Sequence, residues 1–237
     1  MCDDNELLKS YKTRFDGFLK LDSLKEENIL HSKKYFEKSS LLLGEPVPKK
    51  LDVYCIVAGL PFQVDFTNYL KNVKEKLSSI LMDSLYYLVK DSCQAVELLV
   101  SKWPDDDFNE NINEALINYF QNTQFKPITL RSKGVQIHDD GCIILRCIDE
   151  NAQFRLLRKD IISKIDLLSK KQSSWVHIPI GRLLEPLDSK KTFLLKKFCL
   201  SSQSSKSYKA TIDRFHFVHE HQWYQTNIDL LHTFNAI

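Results

Sequence analysis

The chain has little glycine, no closely spaced cysteines, almost no net charge and no long apolar run. Six glycines in 237 residues disfavour a glycine-rich phosphate loop, and neither a Walker nor a dinucleotide-binding fingerprint is present. The six cysteines (2, 55, 93, 142, 147 and 199) include no Cys-x-x-Cys pair. Their flanks are apolar, as in Val53-Tyr54-Cys55-Ile56-Val57, which marks buried thiols and a reducing compartment rather than a disulfide framework. A net charge of +2 does not by itself indicate nucleic acid, although a local basic groove is compatible with it. No apolar run reaches the length that spans a bilayer. The acidic start Met1-Cys2-Asp3-Asp4-Asn5-Glu6 lacks the basic and apolar regions of a secretion signal. The expectation is a cytoplasmic monomer with no membrane partner.

What remains is ordinary globular material, 43% hydrophobic and 27% charged, in a chain long enough to bury a core. Leu7, Leu8, Tyr11, Phe15, Phe18 and Leu19 recur at helical spacing, so residues 5–20 read as an amphipathic helix. A weaker helical pattern covers residues 24–43, and the turn-rich 44–50 closes an N-terminal helical arm, residues 1–50. The arm either packs on the domain or receives a protein partner.

Residues 51–58 read as a buried strand and 63–81 as a helix. Strand-like pieces follow at 84–89 and 93–100. The acidic run Asp105-Asp106-Asp107 stands before a helix at 109–120, whose amino terminus it favours; no metal is expected there. Residues 128–137 and 142–148 flank Asp139-Asp140-Gly141, the clearest hairpin signal in the chain. A helix at 151–168 precedes the most function-bearing stretch, Trp175 to Leu187. Read as a strand, that stretch places His177, Pro179 and Gly181 on one face and Val176, Ile178 and Ile180 on the other. Gly181 leaves the backbone open beside the histidine, and Arg182 adds a fixed positive charge suited to phosphate. A basic segment with Lys190-Lys191 and Lys196-Lys197, a serine-rich loop at 201–207 and a last strand at 208–220 complete the order.

This order resembles the two-histidine phosphoesterases over residues 51–237. Ser174 to Leu187 looks like the family's second motif with its trailing Gly181-Arg182. The hairpin and helix before it stand where the family has them, and Ile212 to Tyr224 resembles its last strand. The Trp103-Pro104-Asp105 turn is similar to that of one uncharacterised branch. The resemblance implies an α+β, bilobal, duplicated fold: two antiparallel sheets around a central groove with helices outside, the lobes being residues 51–126 and 127–237. It also implies one His-x-Thr/Ser strand per lobe. One histidine acts as base and the other as acid, the hydroxyls and nearby donors hold phosphate oxygens, and no metal or other cofactor is required.

The sequence departs from that pattern at both motifs. Pro179 replaces the hydroxyl residue after His177, and proline donates no hydrogen bond. In the first half, Gln94 stands where the first histidine is expected and Val96 where the hydroxyl is expected; glutamine orients a phosphate but exchanges no proton near neutral pH. His219 or His221 on the last strand is a recruitable acid or base. As a metal site the pair suits no common zinc spacing, and Glu220 points away from its neighbours. Three readings follow. One is a catalytically impaired protein holding a nucleotide or an RNA end through His177, Gln94, Gly181 and Arg182. Another is an active, metal-independent 2′,3′-cyclic phosphodiesterase using His177 and a partner such as His219. The third is a protein-interaction scaffold that works through its arm.

Overall fold

A computed structural model describes residues 4–149, 151–166, 171–204 and 207–237. The N-terminal arm forms α1 (Asp4–Lys20), α2 (Glu26–Lys33) and α3 (Lys38–Leu42). The expected continuous helix at 24–43 is split, because Tyr35 and Glu37 commit their backbone to a bridge with the 47–49 segment: Glu37 N–H donates to Val47 O and Lys49 N–H to Tyr35 O. The remaining elements are β1 (Lys50–Gly59), α4 (Val64–Ile80), β2 (Tyr86–Leu88), β3 (Ala95–Lys102), α5 (Glu110–Asn122), β4 (Ile128–Ile137), β5 (Cys142–Asp149), α6 (Gln153–Lys164), β6 (His177–Leu183), α7 (Ser189–Ser204), β7 (Lys209–Ile212), β8 (Arg214–Gln222) and β9 (Asn227–Asn235).

The architecture is α+β with two antiparallel sheets, one ordered β3-β1-β8-β9 and the other β2-β6-β5-β4-β7. The sheets do not divide at residue 126. β2 crosses to pair with β6, while β8 and β9 return from the end of the chain to extend β1. Each half of the sequence thus contributes strands to both sheets, which ties the lobes together.

One face of each sheet is covered by helices. Phe66, Leu70 and Leu77 of α4, Leu116 and Phe120 of α5, Phe154 and Ile161 of α6, and Leu195 and Cys199 of α7 are buried there. They join Ile56, Ala58, Val96 and Leu98 of the first sheet and Val135, Ile143, Leu145 and Ile178 of the second in one continuous core. The bare faces, turned away from these helices, are lined by Val53, Cys55, Val57, Ala95 and Val218 on the first sheet and by Ile144 and Cys142 on the second.

Three further elements differ from expectation: the single strand expected at 208–220 is two, β7 at the edge of the second sheet and β8 in the first. The basic segment after β6 is a helix, α7. It carries apolar residues on both sides (buried Leu195 and Cys199, exposed Phe193 and Leu200), which blurs the helical period. Its last turn takes in part of the serine-rich stretch. β9 is an added edge strand with only Phe234 buried, so it lacks the apolar alternation by which a strand is read. The expected end of the helix at Leu168 lies outside the described residues.

Candidate functional site

The two motif strands reach the site in a register that alternation alone does not give. On β6, His177 pairs with Arg146 and Pro179 with Ile144, but Gly181 pairs with Ile143. The extra residue is Ile180, a bulge that reverses the facing of everything after it. Gly181 therefore leaves the His177 row, and Arg182, opposite Cys142, enters it. Gly181 serves close approach instead: a Cβ there would lie 2.0 Å from the carbonyl oxygen of Tyr87 on β2.

The first-lobe motif also differs from the expected facing. Val57 pairs with Glu97, Ala58 with Val96 and Gly59 with Ala95. Val57 lines the bare face and Ala58 the helix-covered core. Cross-strand partners share a face, so Ala95 and Glu97 look onto the bare face while Val96 points into the core. Gln94 precedes β3 in extended conformation (φ −79°, ψ 122°), which sets its side chain opposite Ala95. It is 1% exposed, and neither of its amide atoms has a hydrogen-bond partner among the described residues. A one-residue shift in register exchanges every side chain between faces, and that shift separates this arrangement from the expected Gln94 and Val96 pair.

His177 is half-buried, with its ring edge-on to Trp175 at 5.9 Å. Desolvation, aided by the nearby charges of His138, Arg158 and Arg182, lowers its pKa to about 4. The imidazole is neutral at pH 7: one ring nitrogen accepts and the other keeps its N–H, which is far too weak an acid to serve as the proton donor. His138, also edge-on to Trp175, is likewise lowered to about 4, chiefly by desolvation.

The bare face of the first sheet carries the carboxyls of Glu97 and Glu220 together with the His216 imidazole, cross-strand partner of Val57. Glu220 is 5% exposed and burial pushes it up to about 8; the Gln225 backbone N–H opposes the rise and Glu97 adds to it. Glu97 is raised too, by desolvation, against the pull of Arg158. Cys55 lies within reach of both charges, its thiol pushed up by its own burial. Arg158 on α6 joins the two motif strands: its Nε donates to Leu98 O, and its Nη2 to Glu97 O (2.8 Å) and Trp175 O (3.0 Å).

The arm covers the bare face of the second sheet. Leu7 and Tyr11 of α1 pack on Ile144, Cys142 and Trp175. The Tyr11 hydroxyl donates to Val176 O (2.5 Å) and accepts from Val176 N–H (3.1 Å). Gln136 Nε2 donates to Tyr11 O, and Trp175 Nε1 to Ser10 Oγ. Arg182 is held on several sides: Nε donates to the Tyr224 hydroxyl, Nη1 to Ser32 Oγ (3.0 Å) with Asp140 Oδ2 at 4.0 Å, and the guanidinium lies 4.0 Å from the Tyr35 ring centroid. Tyr224 and Gln225 hold positive φ (65° and 57°), an uncommon conformation for such residues, and this turns the β8–β9 connection back over the site. Arg146, beside His177, has its Nε buried without a partner among the described residues.

His219 stands apart. Val218 and Glu220 face the site, so His219 lies on the other side of β8, stacked on Tyr54 (4.0 Å between ring centroids). His177 and His219 do not share a face. The Glu97–Glu220 pair escapes sequence reasoning because it becomes visible only once the register is known.

These features define a two-lobed α+β fold whose motif strands meet under an N-terminal cover. No protein-family model and no curated protein matches the sequence. Among solved structures, TT0787 of Thermus thermophilus shares the fold, with a TM-score of 0.54 and 11% identity over 78% of this chain and 97% of that one. E. coli LigT complexed with NADP+ aligns at a TM-score of 0.47 and 9% identity, over 79% of this chain and 99% of that one.

Proposed function

We propose that this chain is a divergent two-histidine-phosphoesterase-like protein that binds a phosphate ester, such as a nucleotide or an RNA end, without hydrolysing it. Its own arm gates access to the site. The observation that carries this reading is the content of the bare face of β3, Ala95 and Glu97: neither is the imidazole or the hydroxyl that a base-and-acid mechanism would draw from this strand. The row Arg146–His177–Arg182 supports anion binding. Two guanidiniums flank a neutral imidazole, and the buried Arg146 Nε still lacks an acceptor among the described residues.

The cover supports gating. Arg182 exchanges its arm partners Ser32 and Tyr35 for phosphate oxygens only when the arm shifts, so the apparent affinity is scaled down by the fraction of time the site is open. The test is calorimetric titration of the full chain with 2′,3′-cyclic nucleotides and nucleoside monophosphates, alongside Tyr11→Ala. Tighter binding by Tyr11→Ala with no turnover supports the reading. Equal and negligible binding by both proteins leaves the arm as a fixed scaffold and defeats it.

One observation favours a second reading, an active phosphodiesterase. Glu220, at about 8, carries a proton at neutral pH and is chemically able to serve as a general acid. Turnover lost in both His177→Ala and Glu220→Gln would establish that mechanism.

A further inference from the structure

On the helix-covered side of the first sheet, where Phe108 leads into α5 against Tyr54, β8 and β9 bring together a group that sequence spacing alone does not reveal. His219 and His221, two residues apart on β8, project from the same face with ring centroids 4.0 Å apart. Asp229 on β9 is the cross-strand partner of His219. One ligand atom from each of the three lies within 4.8 Å of the others. Asp229 is invisible in the sequence because β9 itself carries no strand pattern, and without it two histidines make no site.

The surroundings are those of a metal centre rather than of a chance surface cluster. His219 Nε2 is bonded to Asp52 Oδ1 at 2.6 Å. With the proton on Nε2, the lone pair of Nδ1 is free, which is the arrangement by which carboxylates orient metal-binding imidazoles. Asp52 is itself fixed by Lys102, whose Nζ lies 2.9 Å from Oδ2 and whose side chain is 8% exposed. That ion pair absorbs the lysine's charge and leaves Asp52 as an orienting group rather than a ligand. Tyr54 stacks flat on His219, at 14° between planes, and restricts its ring. His221 Nε2 lies 2.9 Å from Asp229 Oδ2, a contact that an ion replaces by binding both.

We infer that His219, His221 and Asp229 form a site for a divalent cation of the zinc class. Two imidazoles and one carboxylate select zinc, or copper or nickel, over magnesium and calcium, which prefer all-oxygen shells. A tetrahedral zinc with ligands at about 2.1 Å spaces them roughly 3.4 Å apart, so ligand atoms lying within 4.8 Å of one another have to draw in only slightly to meet it. A water completes the fourth position. The ion would tie the exposed edge strand β9 to β8, on the face of the first sheet opposite to Glu97 and Glu220.

The test is titration of the full chain, in chelator-free buffer, with zinc ion itself. The wild type is expected to bind one equivalent in the micromolar range, with a Tm rise of about 5–10 °C at a hundredfold excess over Kd. His221→Ala and Asp229→Ala should each weaken binding at least tenfold. His232→Ala, an exposed histidine outside the cluster on the same strand as Asp229, should leave it unchanged. All three substituted positions lie at the surface, and zinc-free Tm values within a few degrees of wild type verify that the variants fold. Absence of stoichiometric binding by the wild type, or wild-type affinity in either His221→Ala or Asp229→Ala, would overturn the assignment.

Discussion

Replacing Glu220 by glutamine should stabilise the protein at alkaline pH and do nothing at acid pH. Glu220 is 5% exposed, and its pKa is pushed from 4.5 to about 8, first by desolvation and further by Glu97. The folded chain therefore binds this proton more tightly than the unfolded one. The stabilisation is complete below about 4.5 and is lost as pH rises towards 8. At about 1.4 kcal/mol per pH unit, ionising Glu220 costs the fold up to about 4 kcal/mol at pH 8; relaxation around the carboxylate reduces this. Glutamine keeps the one bond the carboxylate makes to the backbone, because its Oε1 can accept from Gln225 N–H as Glu220 Oε1 does at 2.9 Å. The variant carries no charge at any pH. Thermal melts should show Glu220→Gln within about 1 °C of wild type at pH 4.5 and several degrees above it at pH 8, with an upper bound of about 8–16 °C for the unrelaxed 4 kcal/mol at 2–4 °C per kcal/mol for a chain of this size. An equal shift at both pH values, or a lower Tm at pH 8, would refute the buried, protonated carboxyl.

Other consequences follow from the same contacts. Gly181→Ala places a Cβ about 2 Å from the Tyr87 carbonyl oxygen, which side-chain motion cannot relieve. β2 should detach from β6 at a cost of about 3 kcal/mol or more, read by chemical denaturation. Tyr11→Phe removes the hydroxyl that bridges Val176 N–H and O. It should cost about 1–2 kcal/mol, lower the Tm by a few degrees and, by loosening the arm, raise phosphate affinity in calorimetry.

Much of the fold is legible from local signals. The Asp139-Asp140-Gly141 turn defines the β4–β5 hairpin almost to the residue, and α1, α4 and α5 each show one clean apolar stripe. What stays hidden is set by tertiary context. β9 buries only Phe234, so its pattern is that of an edge held by pairing rather than by its own apolar face. The run Ala95 to Val100 is apolar on nearly every position because both faces of β3 are buried. Alternation then says nothing about which residue looks where, and Ala95 and Glu97 take the facing expected of Gln94 and Val96. The Ile180 bulge does the same to Gly181 and Arg182. His177 and Arg182 are readable as a pair. The arm residues that occupy Arg182, Ser32 and Tyr35, come from a distant stretch that no local pattern connects to it.

Whether the site binds without cutting is decided by turnover of a panel of 2′,3′-cyclic nucleotides and cyclic-phosphate-ended RNA. Wild type, Tyr11→Ala and His177→Ala would be assayed in parallel at high protein concentration. No product from any of the three, with measurable ligand binding by Tyr11→Ala, is the predicted result. Product formed by the wild type or by Tyr11→Ala, and abolished by His177→Ala, would contradict it.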